Sequence, residues 1–204
     1  PRDRRQRQMC IRDSINIDDP KKPFRVGVYE LDTPGHSIHD VWIEDGIAYS
    51  SNWADGVVAV DIGAKKHKES DRSKSQFNPL LAKAGQGSPS NPVKLAEMKD
   101  PTGRNHAAFP YLNESTGQFY IIGGDENFPW GVQATKNKPS NPRGGYHFMN
   151  FTDPNNPRED AIYEVPEAGS HNLWVFGDIL LAGNYQGGLR IVDISGELLG
   201  DIYK

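Results

Sequence analysis

The chain has 204 residues, enough for one substantial hydrophobic core, and no apolar run approaches the roughly 18 residues that a membrane-spanning helix needs. Its formal net charge is −4 and it has no long basic block, which argues against a nucleic-acid-binding protein. A single cysteine excludes an internal disulfide and a cysteine-based zinc cluster, while 21 Gly and 15 Pro are typical of a turn-rich β protein.

The first fourteen residues differ in character from the rest, with five arginines and no apolar periodicity. Residues 4–14 (RRQRQMCIRDS) resemble the in-frame translation of an adapter used in sequencing libraries; a basic N-terminal arm is the alternative. We therefore expect residues 1–14 to be non-native and exclude them from the fold. Residues 15–204 then have a net charge of −7 and no cysteine. We expect them to be an internal fragment, with room upstream for a signal peptide or an anchor.

A repeat organises the rest of the chain. Residues 39–63 (HDVWIEDGIAYSSNWADGVVAVDIG) align without gaps with residues 171–195 (HNLWVFGDILLAGNYQGGLRIVDIS), and a looser copy begins at His106, with Phe109 at the Trp position. A second marker, Asp-Pro-x-x-Pro, stands at 19–23 and 153–157, each time before a short apolar run that ends in Tyr-Glu. The repeat predicts several similar β units in series.

Each unit is predicted to contain four short strands joined by Gly, Asp, Asn and Pro turns. Apolar residues occupy both faces of several strands, as in 179–181, which favours sheets packed between neighbouring sheets. We therefore predict an all-β fold, an incomplete β-propeller built of four-stranded antiparallel blades. Its parts are the outer strands of a preceding blade (15–34), a blade with a polar insertion at 63–91 (35–102), a blade with an insertion at 125–143 (103–168) and a partial blade (169–204).

The repeat motifs resemble those of a known family. Residues 187–204 (GGLRIVDISGELLGDIYK), VPEAGSHNLW, TPGHSIHDVW and the Asp-Pro linkers are similar to the LVIVD-repeat family of bacterial β-propellers. The resemblance covers residues 15–204. It implies an exported protein (periplasmic, secreted or at the cell surface) of unassigned biochemical role, and it supplies no catalytic residues.

The histidines that open the three units, His39, His106 and His171, are the first candidate site. If each begins the innermost strand of its blade, all three point to the same end of a central channel, where neutral imidazoles would suit a transition metal such as Fe, Zn or Cu. The alternatives are hydrogen bonds that fasten adjacent blades, or a general base. A carboxylate such as Asp40 or Asp125 would orient an imidazole.

The second candidate site is the start of the insertion after 118–123. Asp125 and Glu126 either face the channel mouth or lie in a solvated loop, and Phe128 and Trp130 suggest that this loop folds back and contacts a ligand. Elsewhere, Asp61, Asp153 and Asp193 are expected to cap turns. His67 is expected in a solvated stretch and His147 as a hydrogen-bonded core histidine. The sequence has no Gly-rich phosphate loop and no Gly-x-Ser-x-Gly elbow.

Two functions remain open at this point. The first is a non-enzymatic exported or surface scaffold that binds a protein or a glycan through its loops. The second is a metal-dependent enzyme with the histidines at the channel mouth. Fold alone does not choose between them, because one fold hosts both classes. In either case, further blades are expected to be needed to close the ring.

Overall fold

The computed structural model describes residues 11–66, 77–128, 142–166 and 168–200. They form antiparallel sheets, and within each sheet the strands that are consecutive in the chain pair with each other. The first sheet has two strands, β1 (Ile11–Asn16) and β2 (Phe24–Glu30), and the second has four, β3 (Asp40–Glu44), β4 (Ile47–Ser51), β5 (Val57–Asp61) and β6 (Val93–Met98). The third has β7 (Asn105–Asn113), β8 (Gln118–Asp125), β9 (Gly145–Asn150) and β10 (Arg158–Glu164), and the fourth has β11 (Ser170–Phe176), β12 (Ile179–Asn184) and β13 (Gly188–Asp193).

The predicted all-β class is confirmed, as are the two four-stranded units and the three-stranded unit that follows them. Within the described ranges no sheet closes on itself, and the propeller stays a proposal. The same residues contain no helix that is long and apolar enough to cross a membrane.

The exclusion of residues 1–14 from the fold is wrong for its last four residues. β1 begins at Ile11 and pairs with β2 from Ile11 opposite Glu30 to Asn16 opposite Phe24. This pairing is made by backbone hydrogen bonds, which do not require apolar side chains. A sequence without apolar periodicity therefore gave no sign of the strand. Residues 1–10 lie outside the described ranges, and the adapter origin of the segment stays a prediction.

The Asp-Pro-x-x-Pro markers form the same turn twice. Asp19 accepts hydrogen bonds from the backbone N–H groups of Lys21 and Lys22, the first at its side chain and the second at its carbonyl. Asp153 accepts in the same way from Asn155 and Asn156. Each turn leads into the last strand of its sheet, β2 or β10, and the two strands have the same burial pattern, with four half-buried residues between exposed ends.

The third sheet is buried on both faces, as the apolar character of both strand faces predicts. Ile121 and Met149 pack with Tyr49 and Leu80 in a core shared with the second sheet. Their chain neighbours Ile122 and Phe148 pack on the opposite face, in a core shared with Leu180 and Ala182 of the fourth sheet. Because side chains alternate along a strand, consecutive apolar residues supply both cores.

The fourth sheet is buried on one face and exposed on the other. Leu180 lies opposite Val175 and Val192, and all three face the third sheet. The neighbouring positions form the other face, where large apolar side chains are exposed: Trp174, Phe176, Ile179, Leu189 and Ile191.

The insertion at 63–91 contains a short helix that the sequence analysis missed. α1 (Pro79–Lys83) is capped at its N-terminus by Asn78, whose side chain accepts a hydrogen bond from the Leu80 N–H. Leu80 and Leu81 are buried in the core of the second and third sheets, because this part of the insertion folds back on them. His67 and residues 67–76 lie outside the described ranges.

Candidate functional site

The three repeated histidines come together. The rings of His39 and His106 lie 4.4 Å apart between centroids, and those of His106 and His171 lie 4.0 Å apart. They are 67 and 65 positions apart in the chain, so their meeting depends on the packing of β7 against β3 and β11. This confirms the expectation that the first residues of the three units point to one place. We call these residues, together with Glu126, the histidine cluster.

The residues three positions after each histidine also meet. Trp42 lies 4.5 Å from both Phe109 and Trp174 between ring centroids, in the latter case edge to face. The three residues that the repeat aligns, Trp42, Phe109 and Trp174, therefore also occupy equivalent places in the structure. Residues three apart on a regular strand point to opposite faces, but β-bulges at 105–107 and 170–173 change this alternation at His106 and His171.

Glu126, predicted to contact a ligand, joins the histidine cluster. Its Oε2 atom lies 3.2 Å from His106 Nδ1, and its Oε1 atom lies 3.6 Å from His171 Nε2. The hydroxyl of Tyr185 donates a hydrogen bond to Oε1. Burial and the neighbouring carboxylate of Glu126 raise the pKa of Tyr185, so that its hydroxyl keeps its proton. The sequence analysis did not identify Tyr185, which stands in a turn of the last repeat.

The hydrogen bonds fix how His106 presents its nitrogen atoms. Its Nε2 atom lies 3.0 Å from the side-chain oxygen of Asn172, so Nε2–H donates and a neutral ring carries a lone pair on Nδ1. That lone pair faces His39 Nε2 at 2.6 Å and the Glu126 carboxylate at 3.2 Å. Two lone-pair atoms face each other at hydrogen-bond distance only with a proton or a cation between them.

The electrostatics keep one imidazole in its metal-binding form. Burial lowers the pKa of His171, and the neighbouring His106 lowers it further against the opposing effect of Glu126. A neutral imidazole has a free lone pair and is a ligand for Fe, Zn and Cu. One ligand atom from each of His39, His106 and Glu126 lies within 4.8 Å of the others, close enough to hold one metal ion.

The other residues predicted to contact a ligand, Asp125, Phe128 and Trp130, have different outcomes. Asp125 is fully buried at the end of β8, so the alternative of a solvated loop is wrong for it. Phe128 packs edge to face on Tyr185 with ring centroids 5.3 Å apart, which supports the expectation that the loop folds back. Trp130 lies outside the described ranges.

A buried cluster surrounds Asp125, and the sequence analysis missed one of its members. His147, on β9, is buried and lies between Asp125 and Glu159, which confirms the expected core histidine. Burial lowers the pKa of His147, but hydrogen bonds and the charges of these carboxylates outweigh burial and raise it to about 9. Asp100, just after β6, joins them through Thr102. In the sequence, Asp100 looks like an ordinary turn residue before Pro101.

The turn-capping role predicted for three aspartates is confirmed. Asp61 accepts hydrogen bonds from backbone N–H groups on both sides of α1 (Gly63, Ala64, Gly85, Gln86 and Gly87). Asp153 and Asp193 each accept from the N–H two residues later.

A wide cleft of about 1410 Å³ lies at the other end of β3, β7 and β11 from the histidines. Trp42, Phe109 and Trp174 form one wall, and Phe77 and Leu81 line it beside α1. The aromatic residues three positions after each histidine thus separate the histidine cluster from this cleft.

Comparisons with known proteins give no further constraint. The sequence matches no protein-family model, and searches of curated proteins and of solved structures found no significant match.

Proposed function

We propose that this protein binds a transition-metal ion through His39, His106, His171 and Glu126. The observation that carries the proposal is the meeting of three sequence-distant imidazoles around one carboxylate. Neutral imidazoles with one carboxylate are a donor set for Fe, Zn or Cu. Tyr185 and Asn172 hydrogen-bond to Glu126 and His106, as residues that orient metal ligands do.

We propose further that the sheets are consecutive blades of a β-propeller of the LVIVD-repeat type. Three observations support this: the sheets are antiparallel meanders, their first strands lie side by side, and the repeated His and aromatic positions meet there. The exposed apolar face of the fourth sheet is where another blade would pack. Export to the periplasm, the cell surface or the medium is part of the same proposal and rests on the resemblance.

The metal site is compatible with the metal-dependent enzyme and leaves the reaction open. The scaffold that binds a protein or a glycan is the second candidate, and the aromatic cleft of about 1410 Å³ favours it. Planar rings such as Trp42 and Trp174 offer large apolar contact areas to a ligand. Phe128, the contact residue expected from the sequence, packs on Tyr185 beside the histidine cluster instead.

The test is metal content. The chain is stripped with a chelator and dialysed separately against Fe²⁺, Zn²⁺ and Cu²⁺, and bound metal is measured by plasma mass spectrometry. His106→Ala should lose one equivalent of metal. His36→Ala is the matched control, because His36 bonds Asp55 outside the cluster, and it should keep that equivalent. Unchanged stoichiometry in His106→Ala, with reduced stability alone, would show that the histidines are hydrogen-bonded fasteners between repeats.

A further inference from the structure

We propose a second cation site, separate from the histidine cluster, formed by Asp100, Asp125 and His147. Two carboxylates and one imidazole favour a divalent cation that prefers oxygen ligands but accepts a nitrogen, for which Mn²⁺ is the suitable probe. Glu159 is a positioning residue for His147. This site does not depend on the proposed function, because its ligands lie outside the histidine cluster.

The three side chains come from separate elements of one buried region. Asp100 follows β6, Asp125 ends β8 and His147 lies on β9. Their exposed fractions are 6%, 0% and 2%. Each offers one ligand atom, and the three atoms lie within 4.8 Å of one another. That spacing suits ligands that share one ion at 2.0–2.6 Å.

Two carboxylate oxygens in this region have no protein partner. Asp100 Oδ2 and Asp125 Oδ1 are fully buried, and neither accepts a hydrogen bond from the residues that the structure describes. A buried carboxylate oxygen that makes no hydrogen bond has lost its water without compensation, which destabilises the fold. A cation bound by one oxygen of each carboxylate would offset the burial of these charges.

The hydrogen count points the same way. The Thr102 hydroxyl lies 2.7 Å from Asp100 Oδ1 and 2.8 Å from Asp125 Oδ2, but it has one hydrogen and donates it to one of them. Asp100 Oδ1 also accepts from the backbone N–H groups of Thr102 and Gly103, and Asp125 Oδ2 faces His147, so the unpartnered atom is the other oxygen of each carboxylate. When all three are ionised, the charges of Asp100, Asp125 and Glu159 sum to three negatives. Among the described residues their ion pairs are formed with His147 alone, and even a protonated His147 leaves a net charge of −2.

His147 is oriented as a metal-binding imidazole is. Its Nδ1 atom lies 2.7 Å from Glu159 Oε2, and its Nε2 atom lies 3.0 Å from Asp125 Oδ2. In the neutral ring, Nδ1–H donates to Glu159 and the Nε2 lone pair faces Asp125. Carboxylate–histidine–metal arrangements share this pattern. A proton on Nε2 is the competing occupant of the same place.

Comparison with the other repeats shows that the local backbone structure does not require an aspartate at position 125. The equivalent positions of the neighbouring units are Asn52, just after β4, and Asn184, at the end of β12. The Asn52 amide donates hydrogen bonds to the backbone oxygens of Ser50 and Gly56, and the Asn184 amide to those of Ala182 and Gly188. Aspartate has no hydrogen to donate and cannot make these bonds. The buried side-chain oxygen at this position has no partner in any of the three units (Asn52 Oδ1, Asp125 Oδ1 and Asn184 Oδ1), but only in the middle unit does it belong to a carboxylate, which a cation binds as a charged ligand.

The experiment uses the full chain, stripped of metal and titrated with Mn²⁺ while free Mn²⁺ is followed by electron paramagnetic resonance. Asp125→Asn introduces the residue that the other repeats have at this position, so the variant should fold. Both Asp125→Asn and Asp100→Asn should weaken Mn²⁺ binding at least tenfold. Glu159→Gln should weaken it 10- to 100-fold. Asp45→Asn, in an exposed turn, should bind as the unchanged chain does.

His106→Ala separates the two sites. It should abolish uptake at the histidine cluster and leave the Asp125-dependent Mn²⁺ binding intact. If Asp100→Asn and Asp125→Asn bind Mn²⁺ like the unchanged chain, or if the chain binds none, then protons occupy this region and the second site is overturned. Neither result changes the expected metal uptake of the histidine cluster.

Discussion

The Nε2 atom of His39 lies 2.6 Å from the Nδ1 atom of His106, across the boundary between two repeats. Since each atom belongs to an imidazole, one must carry a hydrogen and the other a lone pair. A metal ion that takes both lone pairs would replace this hydrogen bond. The contact therefore links the two repeats when metal is absent, and in the proposed metal site both nitrogens would become ligands.

Metal binding should therefore stabilise the fold. A ligand that binds only the folded chain, at a free concentration 100 times its dissociation constant, adds about 2.7 kcal/mol to the free energy of unfolding. For a chain of this size each kcal/mol raises the midpoint temperature by roughly 2–4 °C. Thermal unfolding with Zn²⁺ and with a chelator should thus differ by about 5–10 °C. His106→Ala should remove the part of this shift that belongs to the histidine cluster.

Phe109 should contribute strongly to stability because it stands where three repeats meet. It is buried and contacts both Trp42 and Trp174. Phe109→Ala should lower the free energy of unfolding, measured with urea, by about 3–5 kcal/mol. Phe176→Ala removes the same ring from a position that is 78% exposed and should change it by less than about 0.5 kcal/mol. Equal effects would contradict the meeting of the three repeats.

Alanine substitutions at Gly56 and Gly177 distinguish the cost of backbone strain from the cost of steric crowding. Gly56 and Gly177 both have positive φ, +70° and +56°, so alanine at either position costs roughly 1–2 kcal/mol. A Cβ at Gly56 would also lie 2.2 Å from the Met98 carbonyl oxygen, whereas at Gly177 it would meet nothing within 4 Å. Gly56→Ala should therefore cost about 1–3 kcal/mol more than Gly177→Ala in chemical unfolding. A smaller loss for Gly56→Ala would show that β5 and β6 are not packed as described.

Most of the fold is predictable from the sequence because the same strand and turn pattern occurs in two closely aligned copies. Strand positions follow from alternation and turn residues, and the repeat aligns Phe109 with Trp42, two residues 67 positions apart that the fold brings into contact. α1 was missed because it is only one turn long and its apolar residues, Leu80 and Leu81, lie in a polar stretch. A short helix held by tertiary packing has little signal of its own.

The histidine cluster could be predicted in part. The spacing of His39, His106 and His171 predicts their meeting, but the side-chain partners Tyr185 and Asn172 depend on bulges and turns that no repeat marks. Asp100 could not be predicted at all. Its importance comes from burial beside Asp125, which an aspartate before a proline does not indicate.

Asp61 should make the fold sensitive to acid. Burial raises its pKa, but backbone N–H donors, Gly63 and Gly87 first among them, outweigh burial and lower the pKa to about 2 from its ordinary value of 3.8. A group whose pKa is lowered by folding contributes stability above its unfolded pKa and loses it as the pH falls through the folded value. Asp61→Asn should therefore cost about 1–3 kcal/mol at pH 7. The difference from the unchanged chain should shrink between about pH 4 and pH 2, as followed by urea unfolding at each pH. Asp153→Asn, at an exposed turn, should cost less than about 0.5 kcal/mol, and a deficit for Asp61→Asn that stays constant with pH would contradict the charge as its cause.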